Sequence, residues 1–265
     1  MSGRRVNRIL RFFPEMLREL SKDNATMAAA GLSYYAFLSA LPLIVGLISL
    51  LSFVFPAEEI SKAVYSFIQK GLPVPLEFIQ SNVSDVLDAR GTLGIASMAV
   101  LLFSGTAVLS ALSQVINGAW DLKPRPVWIR KPWELLVIIL IGMVVVLMLG
   151  ASVGLSLLDN LGIPINQDML ATLTSFILVL ITFLLIYKYM PNTKIKWRNA
   201  WPGALLAALL FELALNGFSF FLHTFANYRL TYGALASVVI YLTWLYISSF
   251  ILILGVEVNV ALERI

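Results

Sequence analysis

Glu212 is the residue whose type and position point most directly to chemistry. Residues 199–228 carry one acid, Glu212, one histidine, His223, and no other charged side chain. The run is long enough to cross a bilayer as a helix. A carboxylate near the centre of such a helix is costly if it stays charged and unpaired. Glu212 must therefore be protonated, hydrated in a water-filled cavity or held by polar neighbours.

Two polar stripes follow helical spacing, and the first of them includes Glu212. Positions 212, 216, 219 and 223 lie on one helix face, and positions 237, 241, 244 and 248 repeat the same spacing. We predict a polar cleft lined by Glu212, Asn216, Ser219, His223, Tyr241, Trp244 and Ser248. The alternative is a neutral, buried Glu212 bonded to a neighbouring helix, with Asn216 and Ser219 as packing contacts. His223 alone is better explained by contact with water, and the second stripe by helix packing.

Enzymatic chemistry finds little support in the residue types. The chain has one histidine and no cysteine, which excludes the usual zinc and Cys–His sites. It lacks a phosphate-binding Gly-x-x-x-x-Gly-Lys loop and a Gly-x-Ser-x-Gly elbow. Its acids are expected on both sides of the membrane, whereas a metal nuclease needs several at one ion. We therefore expect no enzyme, no catalytic residue, no cofactor and no metal site.

Six long apolar runs determine the fold class. A spanning helix needs about 20 apolar residues, and lipid favours helices because they satisfy their own backbone hydrogen bonds. The composition agrees, with 59% hydrophobic and 13% charged residues. We predict an all-α, polytopic membrane protein with six transmembrane helices over residues 28–55, 91–120, 135–158, 169–187, 199–228 and 230–256.

The remaining segments are amphipathic. Residues 4–22 have apolar side chains at helical spacing with arginines between them, which predicts an interfacial helix bent at Pro14. Residues 56–90 form the long external connection and contain two short amphipathic patterns, so short helices are expected there. We divide the chain into an amphipathic arm, 1–26, and one six-helix membrane domain, 27–265.

The basic residues are distributed asymmetrically about the predicted spans. Fifteen of the 19 Lys and Arg residues fall on the side that holds both termini. The positive-inside rule then places both termini in the cytoplasm. Anionic lipid headgroups explain this charge better than nucleic acid does, so membrane lipids are the expected partners; homo-oligomer formation stays open. The predicted headgroup contacts are Arg125, Arg130, Lys131, Lys194, Lys196 and Arg198.

Several segments resemble a known family. Residues 24–42 look like the first-span signature of the YihY/BrkB inner-membrane family, and residues 117–120, 187–192, 197, 202–204, 232–236 and 254–259 are similar to its later motifs. The resemblance implies a six-span protein of the bacterial cytoplasmic (inner) membrane, linked to serum resistance and envelope phenotypes. It offers no reason to accept the old label of ribonuclease BN. Glu257 and Asn259 match the pattern, at a depth where a carboxylate can be solvated.

Two functional hypotheses follow. The first is a transporter-like protein that moves or flips a lipid or another amphiphile in the cell envelope, with Glu212 sensing protons or contacting headgroups. The alternative is a non-transporting envelope scaffold that recruits partners through its basic cytoplasmic loops, above all Lys194, Lys196 and Arg198. An enzyme acting on lipid at the membrane surface is third.

Overall fold

The computed structural model describes four stretches of the chain. They are residues 13–51, 106–144 with gaps at 124–125, 127, 131, 134–135 and 138, 167–224 and 234–264. The helices are α1 (residues 13–22), α2 (Ala25–Leu51), α3 (residues 106–119), α4 (Gln167–Tyr189), α5 (Trp197–Thr224) and α6 (Ala234–Arg264). Short helical pieces lie between residues 128 and 144. These stretches contain no β-strand, which confirms the all-α prediction for them.

Three of the described helices are long and apolar enough to cross a membrane. The candidate spans are Thr172–Tyr189, Trp197–Phe218 and Val238–Arg264. They match the predicted spans at 169–187, 199–228 and 230–256. Helix α2 covers most of the predicted first span. The count of six spans stays a prediction, and the external segment 56–90 lies outside the described residues.

Helices α4 and α5 expose apolar side chains along one face each. The exposed residues are spaced four apart: Met169, Leu173, Ile177 and Ile181 on α4, and Leu205, Leu209 and Leu213 on α5. A soluble protein would leave such stripes in water, whereas a bilayer solvates them. On α5 the buried residues are mostly alanines, at 200, 204, 207 and 208. Small side chains at a helix contact and large apolar ones outside are typical of membrane helices.

Helix α6 is packed between α2 and α5, and α4 packs on α5. The closest approach is the crossing of α5 and α6 at Gly203 and Gly255, where a β-carbon on Gly255 would lie 2.8 Å from the carbonyl oxygen of Gly203. Tyr187 of α4 donates its hydroxyl to the carbonyl of Leu252 at 2.8 Å. Helices α4 and α5 therefore both contact the same short stretch of α6.

Asn259 connects the backbones of α5 and α6. Its side-chain oxygen accepts the backbone N–H of Gly203 at 2.7 Å, and its amide nitrogen donates to the carbonyl of Ala200 at 3.3 Å. Pro202 lies just before Gly203 and has no N–H to donate within the helix. Asn259 is buried, so these bonds are shielded from water. The side chain thus supplies polar partners to the first turns of α5.

The loop between α4 and α5 is bound to the end of α3. The backbone N–H of Asn192 donates to the Asn117 side-chain oxygen at 2.7 Å, and the Asn192 side chain donates to the carbonyl of Lys123 at 2.7 Å. Helices α3, α4 and α6 therefore end, and α2 and α5 begin, at one end of the bundle. We call it the basic end, because it carries Lys22, Lys188, Lys194, Lys196, Arg198 and Arg264.

Helix α1 covers part of the arm that is predicted to be amphipathic, and one of its acids is turned inward. Phe13 and Leu17 are exposed, whereas Glu19 is buried. Leu20 packs against the cluster of Ala25, Ala29 and Ile253, so the arm contacts the helices directly. Pro14 lies in the first described turn of α1. Residues 1–12 lie outside the described residues, so the bend at Pro14 and the division at residue 26 stay predictions.

We predict that Gly203→Ala destabilises the protein strongly. A β-carbon at 203 would overlap the carbonyl of Gly255 and approach Asn259 Cγ to 2.6 Å, which forces α5 and α6 apart. The matched control is Gly217→Ala on the same helix, where a β-carbon meets nothing within 4 Å. Thermal unfolding in detergent should fall sharply for the first variant only. Equal midpoints would contradict the close crossing.

Candidate functional site

Glu257 is a buried carboxylate near the end of α6. Its exposed fraction is 0%, and neither of its carboxylate oxygens accepts a hydrogen bond from a donor group within the described residues. The sequence-based interpretation as a solvated carboxylate is therefore wrong. A charged carboxylate away from water is costly unless another charge or an ion compensates it. The groups that surround Glu257 decide what this position can do.

Two further carboxylates converge on Glu257. Glu19 and Asp23, four residues apart at the end of α1, each present a carboxylate oxygen, and the three groups lie within 4.8 Å of one another. We call Glu19, Asp23 and Glu257 the acidic cluster. Burial raises the pKa of the Asp23 carboxyl above its ordinary value. Three acids that are far apart in the sequence thus lie together at one end of the bundle.

Ion pairs cover the outer side of the acidic cluster. Arg264 lies 2.5 Å from one oxygen of Glu19 and 2.8 Å from Asp121. Lys22 donates to both oxygens of Asp121 at 2.9 Å and lies 3.6 Å from the second oxygen of Glu19. We call Lys22, Asp121 and Arg264 the ion-pair cap. The hydrogen bond from Lys22 to Asp121 raises the pKa of the Lys22 ammonium and lowers the pKa of the Asp121 carboxyl.

Two residues with left-handed backbone conformations place these groups. Asn24, between α1 and α2, has a φ of 47°, and Asp121, after α3, has a φ of 52°. Asn and Asp tolerate this region better than most residues. Asp121 occupies the position usually held by glycine: its N–H bonds to Gly118 O, and the next N–H bonds to Asn117 O. The end of α3 therefore presents a carboxylate to Lys22 and Arg264.

The arrangement offers oxygen ligands and charge. Carboxylate oxygens bind hard cations or protons, and they carry no nucleophile for acyl transfer. The cluster lies at the basic end beside the cap, and its carboxylates could hold a small cation or a proton.

The structure places Glu212 at the contact of α4 and α5. Its side chain is partly exposed, and the Ser175 hydroxyl donates to it at 3.5 Å, a long bond. Asn216 is exposed and donates to the backbone carbonyl of Glu212 at 2.8 Å. The side chains of Ser219 and His223 lie outside the described residues. Of the first stripe, Glu212 and Asn216 thus share one side of α5.

The second stripe does not face the first. Trp244 is buried, with its ring 5.5 Å from Phe211 and 5.3 Å from Phe218, both on α5. Tyr241 contacts Phe37 of α2 instead. The face of α5 that meets α6 is therefore aromatic and alanine-rich, because Glu212 is rotated toward α4. Trp244 therefore makes an aromatic contact with α5, and the polar cleft stays a prediction.

Ser248 lies on the same face of α6 as Trp244. Its hydroxyl is buried, and it has no hydrogen-bond partner. A buried hydroxyl of this kind belongs to the helix contact rather than to a water-filled opening.

Those predicted headgroup contacts that the structure describes lie at the basic end. Lys194, Lys196 and Arg198 are exposed, and Arg130 is partly buried. Arg125 and Lys131 lie outside the described residues. Trp197 and Trp201 are about half exposed beside the three exposed basic residues. Tryptophan with Lys or Arg is the usual composition at a membrane interface.

Sequence reasoning missed the acidic cluster and the cap. Glu19 looked like a solvated residue of an amphipathic arm, and Asp121 like part of a loop. A signal was present in Glu257, which follows directly on 27 residues without charge and lies within the 254–259 motif. The sequence contained no signal that Glu19 and Asp23 lie next to Glu257, because helix periodicity does not indicate which distant segments are in contact.

We predict that Arg264→Gln is more destabilising than Asp121→Asn. Removing Arg264 leaves the buried Glu19 carboxylate without its closest cation, at a cost of about 1–3 kcal/mol. Asp121 is 58% exposed, so water replaces much of its ion pairing. Thermal unfolding of the two purified variants measures the difference. An equal loss of thermal stability in the two variants would contradict the prediction, because it would mean that the ion pair with the buried Glu19 adds nothing to the pair with Asp121.

Comparison with known proteins gives one consistent result. The model of the family "Virulence factor BrkB" matches residues 16–265. A UPF0761 membrane protein of Vibrio vulnificus is 28% identical over 257 residues, which cover 95% of this chain and 82% of the relative. Relatives with the same name are 28% identical over 98% of the chain and 87% of the relative in Pseudoalteromonas atlantica, and 29% identical over 91% and 85% in Mannheimia succiniciproducens.

The relatives are named as membrane proteins, in agreement with the apolar helices described above. No solved structure matches the chain. The family match extends over nearly the whole sequence, including α1 from residue 16 and all residues of the acidic cluster and the cap. The chain therefore belongs to the BrkB virulence factor family, also called YihY/BrkB, and is a membrane protein.

Proposed function

We propose that the protein is transporter-like and moves a lipid or another amphiphile in the envelope membrane. The observation that carries this proposal is the setting of Glu212. The carboxylate lies within the candidate span Trp197–Phe218, is partly exposed, and accepts a hydrogen bond from the Ser175 hydroxyl. Acids at this depth are rare and are functional by default.

The depth of Glu212 follows from helix geometry. Trp201 is exposed near the start of α5, as interfacial tryptophans are. Eleven residues separate it from Glu212, a rise of about 16 Å at about 1.5 Å per residue. The hydrocarbon core is about 30 Å thick, so Glu212 lies near its middle. A polar group there lowers the cost for a headgroup passing between the two leaflets.

The surroundings of Glu212 suit an amphiphile. Ser175, Glu212 and Asn216 form a small polar notch, while the exposed stripes of α4 and α5 beside it are apolar. A headgroup would contact the notch while its acyl chains stay on the apolar stripes. A fully enclosed pore would not need exposed apolar residues next to its polar ones. The notch therefore supports lipid-like substrates more than small hydrophilic solutes.

We predict that Glu212→Gln slows lipid movement by about tenfold or more. The substitution keeps the shape but removes the charge that contacts the headgroup. The measurement is transbilayer movement of fluorescent lipids in vesicles reconstituted with the purified protein. Glu263→Gln, an exposed carboxylate on α6, is the matched control and should keep the wild-type rate. Unchanged movement in the Glu212 variant would rule out the proposed role.

The second candidate is an envelope scaffold that recruits partners through basic loops. It is favoured by the exposure of Lys194, Lys196 and Arg198 in one short segment. Neutralising all three should abolish envelope function in a complementation assay while Glu212→Gln is tolerated. The transporter proposal expects the reverse order, so one pair of variants separates the two.

We further propose that the basic end faces the cytoplasm and that the membrane is the bacterial inner membrane. The support is the clustering of cationic residues with Trp197 at one end of the bundle. A fluorescent protein that folds only in the cytoplasm should be active when fused after residue 264 and inactive after residue 228. A periplasm-active phosphatase should give the opposite pattern. Phosphatase activity at residue 264 would reverse the orientation.

Catalysis and nucleic-acid binding are not part of the proposal. The acidic cluster could be compared with a metal nuclease, but Glu257 is buried and the cap lies over Glu19. A phosphodiester strand cannot approach such a centre. RNA cleavage by purified protein that depends on Glu257 would contradict this view.

A further inference from the structure

Among the described residues, four buried carboxylate oxygens of the acidic cluster accept no hydrogen bond, although the Lys22 ammonium lies 3.6 Å from the one on Glu19. They are one oxygen of Glu19, one of Asp23 and both of Glu257. Buried polar atoms are nearly always paired, so several unpaired oxygens in one place call for an explanation. All four belong to side chains whose ligand atoms lie within 4.8 Å of one another. One carboxylate oxygen from each of the three side chains thus lies within reach of a single ion.

The spacing of these oxygens fits the coordination of a single ion. Oxygens on opposite sides of an ion are separated by twice the metal–oxygen distance, about 4.6–5.2 Å for Ca²⁺ and about 4.0–4.2 Å for Mg²⁺. Adjacent ligands are closer. Three oxygens, one from each carboxylate and completed by water or backbone carbonyls, can supply the six ligands of Mg²⁺ or the six to eight of Ca²⁺.

The local charge also favours a cation. Among the described residues, the cluster and its cap contain four carboxylates, from Glu19, Asp23, Asp121 and Glu257, and two cationic groups, Lys22 and Arg264. Two negative charges remain when all of them are ionised. Lys22 and Arg264 each form ion pairs with Asp121 and with Glu19. Neither of the two cations forms an ion pair with Glu257 within the described residues.

We propose that Glu19, Asp23 and Glu257 bind one hard divalent cation of the Ca²⁺ or Mg²⁺ class. The ion joins the end of α1 to α6 and lies beneath the ion-pair cap. It compensates the buried charge of Glu257 and fixes the arm against the bundle. This assignment is independent of lipid movement, because it concerns the basic end rather than the notch at Glu212.

Binding to the full chain in detergent tests the site directly. Mn²⁺ titration followed by electron paramagnetic resonance should give one bound ion per chain, displaced by Ca²⁺ or Mg²⁺. Saturating Ca²⁺ or Mg²⁺, at about 100 times the dissociation constant, should raise the unfolding midpoint by about 5–10 °C. Choline chloride at equal ionic strength is the control for general salt effects. No saturable ion, or equal shifts with choline, overturns the proposal.

Variants identify the ligands. Glu257→Gln and Asp23→Asn should each weaken binding by more than about tenfold, because each removes a charged ligand. Glu263→Gln, on the same helix but exposed, should bind as the wild type does. Lys22→Gln should tighten binding, since it removes a positive charge 3.6 Å from Glu19.

The variants also exclude a purely structural cluster. If Glu257→Gln does not fold, Asp23→Asn decides, because Asp23 is only partly buried. Wild-type affinity in Asp23→Asn, or an equal loss in Glu263→Gln, overturns the assignment. A cluster that only shares protons would give no bound Mn²⁺ and a Glu257→Gln variant at least as stable as the wild type.

Discussion

The close crossing of α5 and α6 is the contact on which the rest of the described structure depends. Gly203 and Gly255 bring the two backbones together, and Asn259 then reaches the N–H of Gly203. Without hydrophobic driving force in lipid, such close packing and interhelical hydrogen bonds are what hold helices together. The crossing also fixes the rotation of α6, so that Glu257, two residues after Gly255, is directed inward to α1.

The same rotation separates two polar features. Toward one side, α6 presents Trp244 to Phe211 and Phe218 of α5, which makes a dry aromatic contact. Glu212 is left on the flank of α5, next to Ser175 of α4. Polar side chains are thus divided between Glu212 with its neighbours, within the candidate span Trp197–Phe218, and the acidic cluster at the basic end. The proposed headgroup contact concerns the first group, and the proposed ion site concerns the second.

The apolar runs predicted the described helices well, because length and the absence of charge decide whether a segment spans lipid. Which side of each helix packs against its neighbours could not be predicted. Periodicity placed Glu212 and Trp244 correctly on their own helices, but it contains no information on how α5 is rotated against α6. Glu19 shows the same limit, since an acid in an amphipathic arm is expected in water unless a distant carboxylate and Arg264 meet it.

The ion-pair cap joins residues far apart in the chain: Lys22 and Asp121 are 99 residues apart, and Arg264 and Asp121 are 143 apart. Synthesis proceeds from the N-terminus, and α5 and α6 are neighbours in sequence, so their crossing is local. Arg264 is synthesised long after α1 and α3. Until then Glu19 lacks its closest cation and the arm has no α6 to rest on. The cap therefore closes only when α1, α3 and α6 have come together, and its closure marks the docking of the arm on α6.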